Sequence, residues 1–470
     1  MEGVKAKDFF RNLSVLFTPQ SVAVIGASNN PNKLGYHVMK SLIQGMFPGE
    51  IVPVNPSSEK IMGHAALSSL TECQGKIDVA VIVLPAEIVL ETIVQCHQVG
   101  VRGIVLITAG FKEIDDPAGA KHQERLAEFV NSVSLPVIGP NTFGMVNLHR
   151  QLNASFTPEF SFVKKGGVSL VSQSGGISHL LGFIAMNTFY RLGKIIGLGN
   201  RLNVDFAQMI VYLMEDPETR VVALYIEGLD CPRELMDEAK KAWGTKPIIA
   251  LKTGRADSGN QSSLSHTGSM AGNEVIYRGA FRQSGIYQVT TTEELLDLSQ
   301  VLSVAPLLRG PRVAVLSGQA GPSMAVCDVC HDHGLQIVSF TEKTRETIHD
   351  LLPPLALREN PVDMGPAWYN SSAIQGIVRA VLEDAHVDAM ILLMMFASAN
   401  RATIPDLSPV VFEWQQKKPI ISCFVAPAGI WDDDIEAMVS QGALINMPTP
   451  ERAGKAMAHL WHYSQMIGRR

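Results

Sequence analysis

The sequence predicts an α/β fold, with parallel sheets covered by helices on both faces and built as three successive units. Short runs rich in Val and Ile, each ending in Gly, Pro, Asn or Ser, alternate with helical patterns through the first third of the chain. Continuous apolar runs of this length mark strands buried on both faces. Two later segments also repeat one another. Gly167-Val-Ser-Leu-Val-Ser-Gln-Ser-Gly-Gly176 and Arg312-Val-Ala-Val-Leu-Ser-Gly-Gln-Ala-Gly321 each read as a strand, a small-residue turn and a helix. Lys246-Pro-Ile-Ile249 and Lys418-Pro-Ile-Ile421 recur in similar places after them, as two related units require.

In chain order, strands are expected at 21–26, 51–55, 79–84 and 103–108, with helices from about Gly35 and over 88–99. A strand at 137–139 closes the first unit, and Gly139-Pro140-Asn141 marks a sharp exit. The second unit opens near 167 and the third near 312; Pro306, Gly310 and Pro311 interrupt the helical pattern between them. The predicted division is therefore 1–143, 144–306 and 307–470.

The residues are 46% hydrophobic and 18% charged, a composition that fills several cores and excludes a largely disordered chain. Lys and Arg number 39 against 45 Asp and Glu, with no basic block, so nucleic acid is not an expected partner. The apolar runs at 79–85 and 389–396 fall well short of the ~20 residues that span a bilayer. Residues 1–11 carry Glu2, Lys5, Lys7 and Asp8, so no signal peptide is expected. Six cysteines in largely apolar or helical surroundings fit a reducing cytoplasm. Cys327 and Cys330 have Cys-x-x-Cys spacing within a helical run but lack a second ligand pair, so they read as one helix face, and no metal site is expected.

Three places could carry chemistry. After the first strand, Gly26-Ala27-Ser28 leads through Lys33 to Gly35, and the second strand ends in Val54-Asn55-Pro56. A glycine-rich first turn lets backbone amides approach a pyrophosphate at a helix N-terminus, though an ordinary βα turn reads the same way. The spacing is not Gly-x-Gly-x-x-Gly, and no acidic residue ends the second strand, which disfavours a nicotinamide-dependent dehydrogenase. The second place is Ser172-Gln173-Ser174-Gly175-Gly176, whose small residues suit an anion at a helix start or a plain Ser N-cap.

The third is the Gly, Ser and Asp-rich stretch 253–272, with His266 in Ser265-His266-Thr267-Gly268-Ser269. Long aperiodic loops tend to be functional or disordered. A neutral imidazole can attack phosphorus while flanking hydroxyls and amides hold the phosphoryl oxygens, and the alternative is a surface histidine. A carboxylate would orient that imidazole. Glu227, at the end of the apolar run 221–226, is the candidate, or else a solvated strand end.

Taken in order, Ser21-Val-Ala-Val-Ile-Gly-Ala-Ser28, Val54-Asn-Pro56, Gly139-Pro-Asn141, Ser172-Gln-Ser-Gly-Gly176 and Ser265-His-Thr-Gly-Ser269 resemble the α subunits of ADP-forming (NDP-forming) acetate–CoA ligases. These are acyl-CoA synthetases related to the succinyl-CoA synthetase α subunit. The resemblance implies a Rossmann-like CoA-binding domain followed by two flavodoxin-like, succinyl-CoA synthetase-like domains. It implies that Gly26, Ala27, Ser28, Lys33 and Gly35 surround the CoA phosphates, with Val54, Asn55, Pro56 and Asn141 completing the cofactor set. It further implies that His266 is transiently phosphorylated, that Glu227 supports it, and that Ser174, Gly175, Gly176, Ser265, Thr267 and Gly268 hold phosphate. The substrates implied are CoA, phosphate, a small carboxylic acid and Mg-ADP or Mg-ATP. The nucleotide would sit mainly on an ATP-grasp β subunit, in an α2β2 assembly. A CoA-sensing regulatory protein without turnover is the competing reading, and the presence of His266, Glu227 and Ser174 together speaks against it. One departure stands out: after Gly197-Leu-Gly-Asn200 the chain continues Arg201-Leu-Asn-Val-Asp205-Phe-Ala-Gln-Met, where members of the family it resembles often show a more acidic run after the aspartate.

Overall fold

The computed structural model describes residues 2–73, 77–254, 274–414 and 416–468. Two compact units divide the chain, Met1–Thr292 and Glu293–Arg470.

The first unit opens with β1 (Ser21–Ile25), β2 (Glu50–Val54), a short hairpin of β3 (Lys60–Ile61) and β4 (His64–Ala65), then β5 (Val79–Ile82), β6 (Gly103–Leu106) and β7 (Val137–Ile138). Apart from the hairpin these form a parallel sheet in the order β2-β1-β5-β6-β7. Strand order reverses at β1, and that reversal opens a crevice beyond the strand ends. Alternate residues of the strands serve two cores. Val22, Val24, Val79 and Val81 pack with helix α1 (Glu2–Phe17) and helix α2 (Leu34–Gln44) through Leu13, Leu16, Val38 and Met39. Ala23, Ile25, Ala80 and Ile82 pack with α3 (Ala86–Gln98) and α4 (Pro117–Ser132) through Val89, Ile93, Leu126 and Val130.

The same unit holds a seven-stranded sheet, made of β8 (Gly144–Asn147), β9 (Leu152–Ser155), β10 (Lys165–Ser172), β11 (Leu192–Gly197), β12 (Val221–Ile226), β13 (Ile248–Lys252) and β14 (Ile286–Val289), in the order β14-β13-β12-β10-β11-β8-β9. The β8–β9 hairpin is antiparallel and was not foreseen from the sequence. Its eight residues are all buried, and its turn, Leu148–Arg150, is closed by Gln151 at a positive φ of 53° rather than by a glycine. Helices α5 (Gly175–Met186), α6 (Phe206–Glu215) and α7 (Pro232–Ala242) connect the parallel strands.

In the second unit, β15 (Arg312–Ser317), β16 (Gln336–Ile337), β17 (Val362–Asp363), β18 (Ala389–Met395), β19 (Ile420–Val425) and β20 (Ile445–Asn446) form a parallel sheet in the order β16-β15-β18-β19-β20, with β17 also pairing β15. The sequence repeat has a structural basis. The hydroxyl of Ser172 accepts the N–H of Ser174 at 3.1 Å and donates to its carbonyl at 2.8 Å; Ser317 does the same to Gln319 at 3.2 and 2.6 Å. Lys246 donates to the carbonyl of Asp216 at 2.6 Å, and Lys418 to that of Asp384 at 2.7 Å. Each Lys-Pro-Ile-Ile therefore starts a strand by capping the end of an earlier element.

Cys327 and Cys330 lie one turn apart on helix Ala320–Asp332, both free, and burial pushes the Cys330 thiol up to about 12. No helix of the described residues is long and apolar enough to cross a membrane.

Candidate functional site

At the end of β1 the chain must turn at once and pass close to β5. Gly26 has a φ of +91°, and a Cβ there would lie 2.3 Å from the carbonyl oxygen of Val83. Gly35 lets the start of α2 come down on this turn; its Cβ would lie 2.0 Å from the Gly26 carbonyl oxygen. Both contacts are with backbone, so glycine is required at each.

Polar side chains then shape the loop. Ser28 accepts the N–H of Asn30 at 3.0 Å. Asn55 donates to the carbonyl of Ala27 at 2.8 Å and accepts the N–H of Ser57 at 2.7 Å, which ties the ends of β1 and β2 together. Asn29 holds the β3–β4 hairpin by donating to the Lys60 carbonyl and accepting the Met62 N–H.

The result is a cavity of about 630 Å³ at the switch point. Gly26, Ala27, Ser28, Lys33, Gly35, Val54, Asn55 and Pro56 all line it, with Val83, Leu84, Pro85 and Ile88 as an apolar wall. Lys33 occupies the N-cap position of α2, and its side chain makes no capping bond. The helix start and the lysine therefore present positive charge to one rim, while the wall suits a flat apolar ring. Asn141 is not part of this lining. It sits at a φ of 57° beyond β7, with its N–H on the Thr108 carbonyl and its amide on Asn200 at 3.3 Å.

The second place forms at the ends of β10, β12 and β13. Ser174 caps α5, accepting the N–H of Ile177 at 3.4 Å, so the N-cap reading of this turn holds. Among the described residues the space before the helix is nevertheless open: a Cβ at Gly175 would meet none of them within 4 Å, and one at Gly176 only the Ser174 hydroxyl at 3.9 Å. Glu227 follows β12 directly, half-buried, on the neighbouring strand.

Sequence reasoning assigned no role to two residues beside it. The side chain of Gln173, 5% exposed, accepts the N–H groups of Glu227 and Gly228. Lys252, 1% exposed at the end of β13, donates to the carbonyl of Glu227 at 2.9 Å and to that of Thr253. The available signal was a lysine closing the apolar run Ile-Ile-Ala-Leu-Lys just before the polar stretch. His266, Ser265, Thr267 and Gly268 lie outside the described residues.

The departure after Asn200 builds an ionic cluster. Arg201, with its side chain fully buried, pairs with Asp205 and Asp230, each at 2.9 Å. Lys112 lies 3.7 Å from Asp230; burial pushes its ammonium below the ordinary lysine value, against the pull of that carboxylate. Among the described residues, no three His, Cys, Asp or Glu side chains gather as a metal-ligand group.

The cavity at the switch point and the start of α5 beside Glu227 both lie in the first unit, one beyond the strand ends of a parallel sheet and the other beyond the parallel strands of a mixed one. Residues 20–147 match the CoA binding domain family, and residues 165–302 the succinyl-CoA ligase like flavodoxin domain. The chain is 34% identical to the acetate–CoA ligase [ADP-forming] II subunit alpha of Pyrococcus furiosus, over 97% of this chain and 99% of that one. It is 33% identical to the acetate–CoA ligase [ADP-forming] of Methanocaldococcus jannaschii, over 97% of this chain but 64% of that longer one. Its fold is similar to the dinucleotide forming acetyl-coenzyme A synthetase 1 of Ca. Korarchaeum cryptofilum in complex with phosphate and ADP, with a TM-score of 0.88 and 31% identity over 97% of each chain. The chain belongs to the family of α subunits of ADP-forming acetate–CoA ligases, and this favours the enzyme over the regulatory reading.

Proposed function

We propose that this chain is the α subunit of an NDP-forming acyl-CoA synthetase that interconverts acyl-CoA, ADP and phosphate with a small carboxylic acid, CoA and ATP. In the ATP-forming direction, a phosphate oxygen attacks the thioester carbonyl and the CoA thiolate leaves, which gives an acyl phosphate. A nitrogen of His266 then attacks phosphorus and the carboxylate leaves. Last, the terminal oxygen of ADP takes the phosphoryl group and frees the imidazole.

CoA is held by the cavity around Gly26, Ser28, Lys33 and Asn55. The α5 start at Ser174, Gly175 and Gly176 receives the phosphoryl group, aided by Ser265, Thr267 and Gly268, while Glu227 orients the imidazole and offsets its charge once phosphorylated. The acyl phosphate is a mixed anhydride that must form away from water, which favours a site built on buried strand ends. The observation that carries the reading is the open, glycine-lined start of α5 next to Glu227.

The Pyrococcus furiosus relative is named as a subunit alpha, which supports a partner subunit. We assign to it an ATP-grasp nucleotide site with Mg²⁺, which neutralises phosphate charge, and an α2β2 assembly. The domains proposed are 1–143 for CoA and 144–306 and 307–470 for ligase chemistry. A cytoplasmic location agrees with six free cysteines.

The test is intact-mass spectrometry, under conditions that preserve phosphohistidine, of the chain mixed with its ATP-grasp partner and Mg-ATP. A phosphoryl adduct on wild type and none on His266→Ala is expected. No adduct on wild type, with CoA bound and the partner active, would overturn the reading in favour of a sensor.

A further inference from the structure

Lys252 is the least economical residue of the second site. Taking an ammonium out of water costs free energy that its contacts must recover, and an apolar side chain of similar length would fill the space without that cost. Its surroundings show what the charge is used for. The ammonium donates to the carbonyls of Glu227, at the end of β12, and of Thr253, where the chain leaves β13. It also lies 4.8 Å from the ring centre of Tyr277, on helix Glu274–Ser284. Thr253 and Tyr277 flank the segment that contains His266, one on each side. A single buried lysine side chain thus links the strand end that precedes Glu227 to helix Glu274–Ser284, and the stretch that contains His266 runs in sequence between β13 and that helix.

We propose that Lys252 is a positioning residue of phosphoryl transfer. It ties the Glu227 backbone to the end of β13 and to the helix that follows the histidine stretch, and its charge offsets the repulsion between the incoming phosphoryl oxygens and the Glu227 carboxylate. It takes no proton and forms no bond to phosphorus. This rests on the phosphohistidine reading above. The two roles differ in what they require: the backbone clamp needs only a donor, whereas the electrostatic role needs a positive charge in this low-dielectric site, where a fixed charge acts strongly on a developing anion.

The experiment measures phosphohistidine formation from Mg-ATP, in the complex with the partner subunit, for wild type, Lys252→Met, Lys252→Gln, Lys252→Arg and His266→Ala, with CoA affinity as the check on folding. Both uncharged variants are expected to keep CoA affinity and lose rate about 100-fold at saturating nucleotide, with half-saturation unchanged; Lys252→Arg recovers most of the rate. Met or Gln variants phosphorylated at the wild-type rate would overturn the proposal. So would an Arg variant as slow as the uncharged ones in a chain that still binds CoA. Absence of the adduct on wild type would instead remove the phosphohistidine reading, and with it this role for Lys252.

Discussion

The side-chain carbonyl of Gln173 accepts the backbone N–H of Glu227 at 3.0 Å and that of Gly228 at 3.1 Å. The N–H of Gln173 in turn donates to the Tyr225 carbonyl at 3.1 Å, so the turn before α5 and the end of β12 are one hydrogen-bonded piece. The turn proposed to receive the phosphoryl group and the carboxylate proposed to serve it therefore cannot move independently.

Gln173→Ala should separate them. Two N–H groups in a largely buried setting lose their acceptor, at a cost of about 1–3 kcal/mol. The change leaves the cavity proposed to hold CoA alone, since Gln173 is not among its lining residues. Urea unfolding should report the stability loss, and quench-flow labelling should report phosphohistidine formation slowed about tenfold or more. Unchanged labelling in a destabilised chain would show that the linkage serves only folding.

The parts of this arrangement legible in the sequence are those carried by local pattern. The turn from Gly26 to Gly35 and the strand end at Asn55 are contiguous segments, and the structure brings them to one cavity. Gln173 and Lys252 acquire their partners through strand register: Ser172 lies opposite Tyr225, and Ile226 opposite Lys252. That register joins residues about 50 and 25 positions apart, and no local pattern announces it. The β8–β9 hairpin was hidden for a related reason, because its four-residue strands turn at Gln151 without the glycine that usually signals a hairpin. Asn141, grouped with the CoA residues by motif order, is not among the lining residues of that cavity and bonds Asn200.

A second buried lysine gives a pH prediction. Lys194 on β11 pairs with Asp216 at 2.6 Å and lies 3.5 Å from Glu218. Burial acts to raise the Asp216 carboxyl, but hydrogen bonds from Lys194 and Thr219 outweigh it and hold the group below its ordinary 3.8. A carboxyl lowered by folding stabilises fully above its unfolded value, and that contribution is lost as pH falls through the folded one. Asp216→Asn should destabilise the chain by about 3 kcal/mol at neutral pH, because Lys194 stays buried with one carboxylate fewer. In urea titrations the gap between wild type and variant should narrow as pH falls below the ordinary carboxyl value of 3.8 and on through the lowered folded one, as the wild-type carboxyl itself takes a proton. A gap independent of pH would mean that Asp216 contributes by packing rather than by charge.

Two glycines separate what the fold requires from what the proposed chemistry requires. An alanine at Gly35 would press its methyl group to within 2.0 Å of a backbone oxygen, so the start of α2 must shift away from the Gly26 turn. Overpacking of this kind costs about 1–3 kcal/mol, and here it displaces the helix start at the cavity rim. Gly35→Ala should therefore lower both the melting temperature and CoA affinity, the latter about tenfold or more. At Gly175 none of the described residues would lie within 4 Å of a Cβ, so none of them imposes a steric need for glycine. Gly175→Val should keep stability within about 0.5 kcal/mol and leave CoA affinity unchanged, because its side chain projects into open space. If that space receives the phosphoryl group, the same variant should form phosphohistidine at least about tenfold more slowly, since the valine methyls would occupy the position of the phosphoryl oxygens. Calorimetry with CoA and phosphohistidine labelling on the same preparations decide the matter: a Gly175→Val chain labelled at the wild-type rate would remove the α5 start from the reaction.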